Sequence, residues 1–354
     1  MTATTRFSSN VVSAKARAMF GHALRTEQYA ALLNCHSVSE VAAYLKNETV
    51  YGTVLAGINE ATIHRGHLEA LLRRKRWNDY ASLVRYDFSV GSHMADYLIE
   101  REEIEQIVAC LRMIGAGQGD EFVLSMPDFF AAHTRLDMLK MSRVPDFQSL
   151  LKALKGTFYY RLLSPFSPET EDEAPSLTAI ETALYTHLTH TLYAVIGNVS
   201  GELRRQLISL YGARIDAQNI LRIFRLKHFF GAEPEQIREN LLPWGGCISG
   251  RTAERMITTA DADEVTRLLF SSSLGKWLPK EQRQLTHDLD HRIPCFSARH
   301  YMYFSTYPAV VLLSYMTLME TELDDLINII EGIRYGLPPE EIKPMLILMG
   351  MERK

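Results

Sequence analysis

Three stretches of this 354-residue chain carry one pattern. Such repetition restricts the fold more than any single segment can, because each copy must bury the same apolar stripe in the same way. In the first copy Ser37-x-x-Glu40 opens a helix, Val41 and Leu45 follow at offsets four and eight, and Thr49-x-Tyr51-x-x-x-Leu55 closes it. The second copy has Asp146-x-x-Ser149, Leu150, Leu154 and Thr157-x-Tyr159-x-x-x-Leu163. The third has Asp261-x-x-Glu264, Val265, Leu269 and Ser272-x-Leu274-x-x-x-Leu278, keeping the hydroxyl and losing the tyrosine. Their starts lie 109 and 115 residues apart. A small polar residue ahead of a period-3.6 apolar run is a helix start.

A second motif alternates with the first. It reads acid-x-x-polar-apolar-x-x-apolar-apolar: Glu103, Gln106, Ile107, Cys110, Leu111; then Asp216, Asn219, Ile220, Ile223, Phe224; then Glu322, Asp325, Leu326, Ile329, Ile330. Offsets four, seven and eight form one helical stripe, with the polar residue at its margin. The exits also repeat, as Gly231-x-x-Pro234-Glu235-Gln236-Ile237 and Gly336-x-x-Pro339-Glu340-Glu341-Ile342. Glycine stops a helix there, and proline with acids starts the next. A lone stripe suits any helical protein, whereas two motifs alternating three times imply triplication. The expected division is an N-terminal tail over 1–13 and helical repeats over 14–119, 120–237 and 238–354.

Composition admits this division. With 47% hydrophobic residues the chain can bury several cores. A net charge of −4 gives no electrostatic footprint for nucleic acid. Cys35, Cys110, Cys247 and Cys295 are scattered, which suggests reduced, buried packing residues of a cytosolic protein. Helical spacing runs over 14–33, 37–46, 62–86, 95–114, 177–195, 202–230, 281–291 and 309–335, and no run alternates with period two. The expected class is all-α. Residues 301–319 lack charge, which just reaches the length of a membrane span. Pro308, several hydroxyls and the acidic continuation Glu320, Glu322, Asp324 and Asp325 instead suggest a long core helix emerging into water. The stretch 164–176, with three prolines and four acids, reads as a solvated loop inside the second repeat, and Gly245-Gly246 marks another.

Motifs for chemistry are weak. His287 and His291 are four apart, a spacing that can bind metal, but no companion ligands are recognisable, and His64-x-x-His67 and His187-x-x-His190 fare no better. Gly115-x-Gly117-x-Gly119 follows a helix rather than a strand, Gly275-Lys276 lacks the frame of a P-loop, and Ser271, Ser272 and Ser273 lack that of a nucleophile elbow. The cluster Arg73-Arg74-Lys75-Arg76-Trp77 reads as a solvated face, or as a surface for acidic headgroups or an acidic partner. No catalytic, cofactor or metal-binding set is identified.

The stretch from Tyr307-Pro308 through Tyr315 and Glu320-x-Glu322-Leu323-Asp324-Asp325-Leu326 to Gly332-Ile333-Arg334-Tyr335-Gly336-Leu337-Pro338-Pro339-Glu340-Glu341-Ile342 resembles the carboxy-terminal signature of the C subunits of bacterial and archaeal V/A-type rotary ATPases, relatives of the eukaryotic V-ATPase d subunit. Asp216-x-x-Asn219-Ile220, Leu241-Leu242-Pro243-Trp244-Gly245-Gly246 and the two Thr-x-Tyr-x-x-x-Leu turns support it, and the resemblance extends from about Ala14 onward. The first copy departs, with Glu103 and Gln106 where the family resembles Asp and Asn, so any contact of that helix is in question.

The resemblance implies three helical lobes arranged with pseudo-threefold symmetry as a funnel on the cytoplasmic side of the membrane. It implies a non-catalytic socket between the central shaft, made of the D and F subunits, and the membrane ring of proteolipid subunits, passing torque during ATP-coupled translocation of protons or sodium ions. No cofactor, nucleic acid or small-molecule substrate is implied. Partner-contact candidates are Asp216, Asn219, Arg222, Arg225, Lys227, Glu322, Asp325 and Arg334, on an inner wall expected to be polar and charged. The bland reading is that these groups cap helices or pair within the subunit. Competing functions are a free-standing helical-repeat adaptor for cytosolic partners and a helical metalloenzyme built around His287 and His291.

Overall fold

The structure, a computed structural model, describes residues 3–84, 92–115, 134–167, 176–278, 280 and 286–351. Every regular element among them is helical. In chain order they are α1 Ala3–Phe20, α2 Thr26–Leu33, α3 Val38–Glu48, α4 Gly52–Leu55, α5 Arg65–Val84, α6 Ser92–Gly115, α7 Met138–Met141, α8 Phe147–Ala153, α9 Phe158–Leu163, α10 Leu177–Gly197, α11 Gly201–Leu207, α12 Ala213–Phe230, α13 Pro234–Glu239, α14 Gly250–Thr258, α15 Ala262–Ser271, α16 Leu289–Phe304, α17 Pro308–Arg334 and α18 Pro339–Ile342.

The first motif forms the same local structure at each occurrence. Ser37, Asp146 and Asp261 cap α3, α8 and α15, accepting from the backbone N–H groups of Glu40, Ser149 and Asp263. At the far end the hydroxyls of Thr49, Thr157 and Ser272 donate to the carbonyls of Leu45, Leu154 and Leu269, which ties off the last turn. The apolar offsets Val41, Leu45, Leu150, Leu154, Val265 and Leu269 are all buried, as are Tyr51, Tyr159 and Leu274 at the position where the tyrosine is lost.

The chain divides into two compact units, Met1–Ser89 with His291–Lys354, and Val90–Asp290. In the first, α17 is the axis, with 17 of its 27 residues buried. A helix apolar on nearly every side belongs in a core. Its Leu323, Leu326, Ile329 and Ile330 pack with Leu32, Val41, Leu45, Leu55, Leu68 and Leu72, so the first motif of copy one rests on the second motif of copy three. Each such side chain contributes about 1.5–3 kcal/mol by burial. In the second unit α6 packs on α10, and α12 on α15, placing copy three's first motif against copy two's second.

Several boundaries differ from the expectation. The run 14–33 is two helices, because the chain opens between Phe20 and Thr26 and directs the Leu24 N–H to the Glu322 carboxylate. The supposed tail is helical from Ala3 and buries Val12. Residues 202–230 form α11, a π-helical turn Ile208–Gly212, and α12. The charge-free run 301–319 is shared between the end of α16 and the start of α17, with Pro308 at the first helical position, where its missing N–H costs nothing. No helix among the described residues is long and apolar enough to cross a membrane. The acids that follow do not all emerge into water, because Glu322 and Asp325 are 1% exposed. α16 begins at Leu289, later than the 281–291 run predicts, and 281–285 lie outside the described residues. The loop at 164 starts with a 3-10 turn, Ser164–Phe166, whereas 168–175 lie outside the described residues, as do Gly117 and Gly119 of the glycine-rich stretch.

Candidate functional site

Among the described residues the acids of the second motif are deeply buried, with Glu103 and Asp216 0% exposed and Glu322 1%. A buried carboxylate must be paired or surrounded by donors. Glu103 accepts from the Tyr159 hydroxyl at 2.7 Å, the Thr134 hydroxyl at 2.9 Å and the Arg135 N–H at 2.5 Å. Glu322 accepts from the Tyr51 hydroxyl at 2.9 Å and the Leu24 N–H at 2.8 Å. The tyrosine of one copy therefore donates to the acid of another, copy two to copy one and copy one to copy three. Asp216 has no tyrosine to meet, since Leu274 stands in its place. It accepts from the N–H groups of Gly245, Cys247 and Ile248, and burial nevertheless pushes its carboxyl up to about 6.

The polar residue one turn later holds the segment beyond the helix exit. Asn219 donates to the Leu242 carbonyl at 2.8 Å and accepts from the Leu242 N–H at 2.9 Å. Asp325 accepts from the N–H groups of Ile347 and Leu348, each at 2.8 Å. Burial raises Asp325 to about 7 against those two bonds. Gln106 does not act in this way. It is half-buried and donates to Glu102 of its own helix at 3.1 Å, the physical outcome of the first copy's departure from the pattern.

Of the eight expected partner contacts, Asp216, Asn219, Glu322 and Asp325 have no surface to offer, because they are at most 1% exposed and their polar atoms serve this chain's own loops. Sequence periodicity puts them at the edge of a stripe, and the edge folds inward. Arg222 is half-buried and donates to the Asn240 carbonyl at 2.9 Å, with burial pulling its pKa down. Lys227 donates to the Ile257 and Thr259 carbonyls at the C-terminal end of α14, where a cation meets the negative end of the helix dipole. Arg225 and Arg334 are exposed, and Arg334 sits 5.2 Å over the Tyr335 ring.

The sequence reading missed the exposed aromatics at the repeated exits. Phe229 and Phe230 end α12 at 69% and 77% exposure, and Tyr335 follows α17 at 69%. The next residue in each case is a left-handed glycine, Gly231 at φ 56° and Gly336 at φ 69°. The available signal was the pair aromatic-glycine ahead of x-x-Pro, present in both exits.

The weak chemical motifs have structural uses. His287 lies in the turn before α16, so it and His291 do not share a helical face. Among the described residues no group of three or more His, Cys, Asp or Glu side chains is placed to hold a metal ion. His187 meets Glu100 at 2.6 Å and stacks on Phe158, and His64 accepts from the His67 N–H. The basic cluster is partly inward: Trp77 is buried, Lys75 pairs with Asp79, and Arg76 lies over the Trp77 ring. All four cysteines are unpaired. Cys110 and Cys295 are buried, while Cys35 and Cys247 are only half-buried, short of the expected full burial.

The described residues thus form an all-helical scaffold whose buried acids clamp its own loops and whose repeated helix exits expose aromatic rings. The chain belongs to the ATP synthase (C/AC39) subunit family, whose pattern it matches over residues 12–345. It is 25% identical to the C subunit of the A-type ATP synthase of Archaeoglobus fulgidus over 350 residues, 96% of each chain. It is 23% identical to the same subunit of Methanosarcina mazei over 342 residues, covering 95% of this chain and 91% of that one.

Proposed function

We propose that this chain is the non-catalytic socket of a rotary ATPase, joining the D and F subunits of the shaft to the membrane proteolipid ring on the cytoplasmic side and passing torque between ATP chemistry and ion translocation. The observation that carries this reading is the family match across residues 12–345, with relatives named as the C subunits of A-type ATP synthases. The packing order supports it. Copy one's first motif meets copy three's second, copy two's meets copy one's, and copy three's meets copy two's, a cyclic sequence suited to three repeats closing as a funnel about an axis. Torque transfer needs rigid connections, and buried carboxylates with two or three donors each provide them.

The partner contacts proposed from the original eight reduce to Arg225 and Arg334, joined by Phe229, Phe230 and Tyr335. Co-expression with the shaft and ring proteins tests this. The chain should co-purify with both, and Arg225→Glu with Arg334→Glu should weaken shaft retention increasingly as salt is raised. Retention of neither partner by the native chain would refute the socket. Unchanged retention by the double variant would refute only the residue assignment.

A further inference from the structure

The grooves beside α7–α8 and α14–α15 occupy the same place in the repeated motif, 115 residues apart, and differ in charge, with Ser149 and Arg143 where the other has Glu264 and Thr258. In the α14–α15 groove Glu264 bridges two cations, Arg255 at 3.0 Å and Arg267 at 3.3 Å, and Asp261 adds a contact to Arg267 at 2.7 Å. The groove is closed electrically by its own carboxylate. The first motif of copy one also has a glutamate at this position, Glu40. Copy two alone has Ser149.

The cations persist where the carboxylate is missing. Lys140 stands where Arg255 stands, Lys152 where Arg267 stands, and Arg143 adds a third. Asp137 pairs with Lys140 at 2.8 Å, and Asp146 lies within electrostatic range of Lys152. Asp146 is occupied in capping α8 through the Ser149 N–H. Next to this positive groove Leu139 is 66% exposed, at the position filled by Glu254 in copy three.

We propose that the α7–α8 groove is a docking site for an acidic segment of another protein chain, with one of its carboxylates between Lys140 and Lys152, where Glu264 lies in the sister groove, and an adjacent apolar side chain on Leu139. Charge complementarity selects the carboxylate, and the exposed leucine favours a side-chain-bearing partner over a small anion. The lining of this groove includes none of the residues assigned to the shaft, so it is proposed as an additional contact.

A photo-reactive p-benzoylphenylalanine at Leu139, in the complex purified from cells, reads the occupant directly, and shaft co-purification from the same preparation reports independently on the socket. The expected adduct is a peptide of another chain with an acidic residue beside an apolar one. Lys140→Glu with Lys152→Glu should lower its yield about fivefold, and lysine at the partner's carboxylate should restore it. Ser149→Glu supplies the carboxylate internally, so it should also lower the yield about fivefold while leaving the melting temperature unchanged or higher. Adducts to lipid, adducts confined to this chain, no adduct, or a yield insensitive to these charges would each overturn the proposal.

Discussion

Tyr51 donates its hydroxyl to Glu322, 271 residues away in sequence, at 2.9 Å, and both side chains are buried. A bond between groups so distant ties the first and last thirds of the chain into one unit. Its loss leaves a buried carboxylate short of a donor, which is the costly way to break a hydrogen bond.

Tyr51→Phe should therefore destabilise the protein by about 1.5–3 kcal/mol, read by urea denaturation at neutral pH. Adding Glu322→Gln should cost less than the sum of the two single changes, because the neutral amide no longer needs the full set of donors. Strict additivity would show that the two groups do not interact. Tyr159→Phe should behave alike through Glu103.

The stability of the Asp325 clasp depends on pH. An aspartate titrates near about 3.9 in an unfolded chain, and burial raises this one to about 7 in the fold. As pH rises the unfolded chain releases its proton first, so this group's contribution is fully present below about pH 4 and is lost as pH climbs through about 7. Asp216, raised to about 6, adds a loss of the same sign. Replacement Asp325→Asn removes one titration. The stability difference between native and variant chains should move by on the order of 2 kcal/mol against the native chain between pH 5 and pH 8. A difference that stays constant over that range would refute the assignment.

Gly245 and Gly212 touch through their backbones, and a Cβ on Gly245 would stand 2.0 Å from the Gly212 carbonyl oxygen. Backbone cannot yield as the tip of a side chain can, so Gly245→Ala should cost on the order of 3 kcal/mol. Gly250→Ala, where an added Cβ meets nothing within 4 Å, is the control and should stay within about 0.5 kcal/mol. Thermal melts of the two variants decide. Equal melting temperatures would mean that the π-helical turn and the 245 loop can separate freely.

The parts of this fold legible in the sequence are those that a local rule governs. Caps at Ser37, Asp146 and Asp261 and stripes such as Val41 with Leu45 depend on contacts within two turns, so spacing reveals them. The recurrence of Glu103, Asp216 and Glu322 was equally plain, but their destination was not. A polar residue at the edge of a stripe can face water or a loop, and only the approach of Tyr159, Tyr51 and the Gly245 loop makes inward burial affordable. The break between α1 and α2 was hidden for the same reason, since its cause is Glu322 on a distant helix. Pro294 inside α16 obscured that helix, because proline ordinarily argues for an end.

The exposed exits give the sharpest separation of folding from function. Phe230 is 77% exposed and Tyr335 is 69%, so removing either ring forfeits little packing within the chain. Phe230→Ser and Tyr335→Ser should each change stability by less than about 0.5 kcal/mol. Exposed aromatic side chains are, however, typical anchors of protein interfaces, where truncation commonly costs about 2 kcal/mol or more of binding. Each variant should thus melt like the native chain yet be retained in the rotary complex at reduced yield, and the two together should be retained worst. Matched thermal melts and subunit stoichiometry of the purified complex check this. A variant that lowers the melting temperature and the retention in parallel would mean that these rings belong to the core, and full retention with an unchanged melt would mean that the partner docks elsewhere.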